Sequence, residues 1–110
     1  MGYLMYDSST RIEFDDRVLA HLEVLIVSKL RRKESFALSW REAPEGGDGR
    51  TTIWLDVSIP LRFRYVGSRP PGISREWIER LSLAASTGSG LLVMDEDGNP
   101  AVGHTQASAV

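Results

Sequence analysis

The chain has 110 residues, 42% of them hydrophobic and 25% charged, a composition that suits one globular domain burying roughly two thirds of its unfolded surface. Its formal net charge of −2 supplies no global field toward nucleic acid or an anionic membrane, so any such contact must come from local clustering. The absence of cysteine excludes disulfides, thiolate catalysis and Cys-based zinc sites.

In chain order, Tyr3–Tyr6 and Arg11–Phe14 are short β-type runs separated by the turn formers Asp7-Ser8-Ser9-Thr10, which predicts a hairpin. Asp15 or Asp16 then caps a helix reaching about Lys33. Its apolar stripe is Val18, Leu19, Leu22, Leu25, Ile26 and Leu30. Acids at its start and Arg31-Arg32-Lys33 at its end suit the helix dipole. Three strands with period-two alternation follow at Ser35–Glu42, Arg50–Val57 and Leu61–Val66.

The first two of these strands are joined by the turn-rich "APEGGDG", the next two across Ser58-Ile59-Pro60. Ser74 is the expected N-cap of a second helix that buries Trp77, Ile78, Leu81, Ala84 and Ala85 and ends at "STGSG". Leu91–Met94 reads as a last short strand. The small, polar segment from Asp95 to Val110 reads as a flexible tail.

The expected order is therefore ββαβββα(β) in a single domain over 1–94. This is an α+β fold with two helices on one face of an antiparallel sheet. The most apolar stretch, "VLAHLEVLIV", is interrupted by His21 and Glu23 and is too short to span a bilayer. The first ten residues match neither a secretory signal nor the myristoylation pattern. The expectation is a cytoplasmic protein without membrane contact.

"GGDGRTTIWLDVSIPLRFRY" (Gly46 to Tyr65) resembles the end of the Lys-x-Asp-Gly signature of nucleotidyltransferases, whose lysine attacks the α-phosphate of ATP. Gly46 stands where that lysine belongs. Lys29 and Lys33, the only lysines, are not followed by Asp-Gly at the needed spacing. The glycines therefore read as hairpin-loop residues with positive φ. No phosphate loop, paired-histidine motif or triad can be assembled, and Asp95–Asn99 misses the EF-hand spacing. No catalytic, cofactor, metal or small-molecule site is expected.

Two surfaces remain. Alternation that sets Phe36, Leu38, Trp40, Ile53, Leu55, Leu61, Phe63 and Tyr65 inward leaves Ser39, Arg41, Thr52, Trp54, Arg62 and Arg64 outward. Arg41, Trp54, Arg62 and Arg64 then either hold phosphates and a base or form a solvated outer face. Arg31-Arg32-Lys33 and Lys29 read as a helix end in water. On the first helix, Ala20, Val24 and Val27 lie nearly opposite Leu22, making a second apolar side that either contacts a partner, such as a second copy, or is covered by the hairpin or tail.

Taken together, "YDSSTRIEFDDRVLAHLEVLIVSKLRRKESFALSW", "GRTTIWLDVSIPLRFRY" and "RPPGISREWIERL" resemble a family of short actinobacterial proteins of unknown function, often labelled "ATP-dependent DNA ligase". The resemblance runs from about Met1 to Met94. It implies a free-standing cytoplasmic protein and brings no catalytic residues to carry over. The ligase label is at odds with the missing lysine and the short chain. The expectation is a non-catalytic domain acting by protein–protein contact, with an accessory nucleic-acid-binding module as the alternative.

Overall fold

A computed structural model describes residues 2–107. Strand β1 (Gly2–Tyr6) turns into β2 (Thr10–Phe14), with Asp7 and Ser8 at positive φ in the predicted hairpin turn. Helix α1 (Asp16–Arg31) starts at Asp15, whose carboxylate accepts from the Arg17 and Val18 amides. Strand β3 (Phe36–Glu42) leads through a 3-10 turn (Pro44–Gly46) into β4 (Arg50–Leu55). There Gly47 and Asp48 take the left-handed conformations that a corner requires, with φ of 99° and 60°.

Strand β5 (Leu61–Arg64) is followed by helix α2 (Arg75–Ala85), capped by Ser74, whose hydroxyl accepts from the Trp77 amide. Two strands close the described chain, β6 (Leu91–Leu92) and β7 (Val102–Ala107). Both helices pack on the apolar side of a seven-stranded, mostly antiparallel sheet of order β4-β3-β7-β2-β1-β5, with β6 beside β3. The α+β architecture and the helix pair follow the sequence pattern.

The order past Met94 differs from the expectation. Residues 102–107 are not a loose tail but a strand near the middle of the sheet, antiparallel to β2 and parallel to the end of β3. The turn that delivers it is built by Asp95, whose carboxylate accepts from the Asp97 and Asn99 amides, with Gly98 at φ 87°. Val93 and Ala101 pair across that turn. The last part of the expected tail, residues 108–110, lies outside the described residues.

The sheet cannot be flat. Its end strands β4 and β5 are consecutive in the chain, and the link Asp56–Pro60 spans about 20 Å at full stretch, whereas six strands side by side cover about 24 Å. The sheet curls instead, far enough for the Tyr6 hydroxyl of β1 to donate to the Trp54 carbonyl of β4 at 2.8 Å. Asp56 holds the corner, accepting from Ser35 and from the hydroxyl and amide of Ser58. Those donors lower its carboxyl to about 2.

The concave side of the curl holds the core. Leu4, Ile12, Phe14, Leu38, Trp40 and Leu55 meet Leu19, Leu22, Leu25 and Ile26 of α1 and Trp77 and Leu81 of α2. The alternation places residues as expected, with Phe63 and Tyr65 half-buried against the core and Arg62 and Arg64 exposed.

Candidate functional site

Three polar centres inside the molecule are candidates for chemistry, and each is engaged by its own fold. Glu42 follows Phe36, Leu38 and Trp40 in the inward phase of β3, which puts a carboxylate on the buried side at 6% exposure. It accepts from the Trp40 indole at 2.9 Å, the Thr51 hydroxyl at 2.5 Å, the Thr105 amide at 3.2 Å and the Thr105 hydroxyl. Burial alone would raise this carboxyl, yet the donors from Thr105, Thr51 and Trp40 outweigh it and hold the group below its ordinary value. Beside it, Gly103 of β7 lies so close to Trp40 and Phe14 that an added Cβ would stand 2.6 Å and 2.7 Å from their rings. Glu42 and Gly103 fasten β7 in place.

His21 is fully buried between the helices and stacks on Trp77 at 3.9 Å. Its Nδ1 donates to the Arg17 carbonyl at 2.6 Å and its Nε2 accepts from the Ser74 amide at 2.8 Å, which defines a neutral ring with the proton on Nδ1. The ring joins α1 to the cap of α2. Lys29 is the buried lysine, reaching Glu34 at 3.3 Å and lying over Phe36. Arg32 pairs with the same Glu34. Among the described residues, no group of three or more His, Asp or Glu side chains could hold a metal ion. No helix among them is long and apolar enough to cross a membrane.

The outer sheet face carries the four residues expected there. Trp54 is 54% exposed, on β4 opposite Ala37, above a cleft shared with Ser86–Gly90. Arg41 stands on β3 opposite Arg50, 3.7 Å from Asp48. Arg62 and Arg64 lie on β5 at the other end of the strand order. Of the expected group, Arg41 and Trp54 stand on the paired strands β3 and β4, and Arg62 and Arg64 together on β5, which pairs with β1.

The registers bring further residues to Arg62 and Arg64. Arg62 lies beside Met5, Arg11 and Gln106 in one row, and Arg64 beside Tyr3, Glu13 and His104 in the next. The Arg11 guanidinium covers the Tyr3 ring at 5.1 Å. Tyr3, Arg11 and His104 were not singled out by sequence, since their rows depend on the position of β7 and on the β1–β5 pairing.

The outer side of α1 is the other open surface. Ala20 is only 8% exposed and shares the wall of a cleft with residues of the segment Gly67–Ile73. Val24 and Val27 are 42% and 44% exposed. A cleft of about 330 Å³ lies on one side of Val24, with Tyr65, Pro70, Pro71 and Ile73 in its wall. A second of about 430 Å³ lies beside Val27, walled by Leu30, Val57, Ile59 and Phe63. Val57, Val66 and Ile73 are exposed around this region.

Glu23 and Arg31 flank the valines along the helix, and Glu23 accepts from the Tyr65 hydroxyl at 2.7 Å. Burial and that carboxylate push the tyrosine above its ordinary value. An apolar strip with charges at both ends can exclude water against a matching surface.

A family described as a domain of unknown function, DUF7882, matches residues 1–96. The chain belongs to the DUF7882 family. No curated protein and no solved structure matches it. In this DUF7882 domain the family match agrees with the span over which sequence resemblance runs, and it ends before β7 begins.

Proposed function

We propose that this DUF7882 domain is a small cytoplasmic protein without catalysis of its own that works by protein–protein contact through the outer face of α1. One observation carries this reading: Val24 and Val27 stand exposed in the middle of a helix, between two apolar clefts. Water against such a strip is displaced favourably by a complementary surface. The ionisable groups drawn inside support the non-catalytic part. Both nitrogens of His21 have partners, and Glu42 has four donors, so neither is free to move a proton to a substrate.

Affinity capture from the native host with the unmodified chain beside V24D/V27D tests the reading. It expects proteins retained by the first and lost by the second. Identical sets from both, or none from either, would contradict it.

A second reading has a specific observation in its favour. Arg11, Arg62 and Arg64 share two adjacent rows of the outer sheet face with Tyr3, a basic and aromatic layout that suits a nucleic-acid backbone and one stacked base. On that reading the chain is an accessory module linked to DNA ligation or repair, without ligase activity of its own. Arg62→Ala with Arg64→Ala is then expected to weaken DNA or RNA binding and to flatten its salt dependence. No binding by the unmodified chain at low salt would remove it.

A further inference from the structure

Resting on the reading that the outer face of α1 is the working surface, we propose that its partner is a second copy of this chain, with the two α1 helices antiparallel across a two-fold axis near Val27. The exposed residues of this face recur at helical spacing. Val24 and Val27 with Arg31 follow steps of three and four, and Glu23 precedes Val27 by four. The strip is therefore continuous along the helix and narrow enough for a facing helix at about 8–10 Å.

The charges choose the orientation. Glu23 and Arg31 stand four residues either side of Val27, at about 6 Å along the axis in each direction. A two-fold axis through Val27 brings Glu23 of one copy opposite Arg31 of the other, twice in the same interface. Parallel helices in register would instead face Glu23 with Glu23 and Arg31 with Arg31, and like charges disfavour that pairing. Arg31 is free for the exchange: the neighbouring Lys29 and Arg32 are held by Glu34, while Arg31 has no ion pair among the described residues. The two valines supply the apolar centre, and Val27 meets its own copy on the axis.

Sedimentation of the full chain into the high micromolar range tests this, together with charge variants and one added cysteine in a chain that has none. The expected result is a species of twice 12.2 kDa. Either Glu23→Arg or Arg31→Glu alone should weaken dimerisation about tenfold, because each alters both symmetric pairs, and the double variant should restore it to within about threefold. Val27→Cys should give a disulfide-linked dimer under mild oxidation, since only residues near the axis come within bonding reach.

Arg31→Glu leaves the Tyr65–Glu23 bond intact, so its effect reads association and not folding. A chain that stays monomeric would overturn the second copy as partner, while contact with another protein would still stand or fall by the capture experiment. A dimer indifferent to both charge variants, or one in which V27C fails to cross-link, would overturn the arrangement.

Discussion

Glu42 and Glu23 are both glutamates beside an aromatic donor, and they sit in opposite circumstances. Glu42 accepts from Trp40, Thr51 and twice from Thr105 inside the sheet. Glu23 accepts once, from Tyr65, and borders the exposed Val24 and the cleft beside it. A carboxylate surrounded by neutral donors is a structural fastening, since every displaced donor would be left buried without a partner. A carboxylate with one internal partner at the rim of an apolar strip retains capacity for a second. The two regions separate what holds the domain together from what it offers to others.

The largest effect that would sharpen this comparison lies at β7. Gly103→Val drives side-chain atoms into Trp40 and Phe14, and should cost about 3–5 kcal/mol in urea denaturation. A loss under about 0.5 kcal/mol, typical of an unpacked surface position, would return residues 102–107 to the status of a tail. Next comes Glu42→Ala, which leaves the Trp40 and Thr105 donors without their acceptor and should cost about 2–4 kcal/mol. The matching Glu23→Ala should cost no more than about 1 kcal/mol in the same assay. Equal losses at the two glutamates would erase the distinction.

Val24→Asp should change folding stability by about 0.5 kcal/mol or less, because the side chain is already partly in water, while reducing any association through α1. A drop of several kcal/mol in a monomeric assay would show that the face belongs to the core. The smallest effect concerns pH. The folded Asp56 carboxyl stands at about 2, below its ordinary value of about 4, so across that interval the unfolded chain takes up a proton that the folded one refuses. The resulting stability is complete above that ordinary value and is lost as pH falls through the folded value. Thermal melts from pH 5 downward should fall less steeply for Asp56→Asn than for the unmodified chain, and parallel curves would contradict the Ser35–Asp56–Ser58 corner.

Much of the fold was legible because local signals and burial agree. The hairpin turn, the Asp15 and Ser74 caps, both apolar helix stripes and the inward phase of three strands are visible in the residues. Strand β7 was missed because "VGHTQA" is short and nearly devoid of large apolar residues. Its inward positions are the glycine that lets Trp40 and Phe14 close and the threonine that serves Glu42. One signal was present: Asp97-Gly98 is a hairpin dipeptide, and the structure uses it to turn the chain back. Glu42 was also readable, being in phase with Phe36, Leu38 and Trp40.

The candidate surfaces were legible residue by residue but not as groups. Period-two alternation tells which side of a strand faces water. It does not tell that β4 and β5, five residues apart in the chain, stand at opposite ends of the strand order. The registers add Tyr3 and Arg11 beside Arg62 and Arg64, which alternation alone could not show. On α1 the wheel found Val24 and Val27, while Ala20 is buried and lies next to Gly67–Ile73, a segment whose path no periodicity encodes.

The most direct measurement is a dilution series of the full-length chain followed by backbone amide NMR. Concentration-dependent shifts are expected at Glu23, Val24, Val27, Ser28 and Arg31 and at the neighbouring Ile73, with β7 and the outer sheet rows unchanged. Spectra that stay fixed up to the solubility limit, or shifts gathered instead around Arg62 and Arg64, would contradict α1 as the self-contact face.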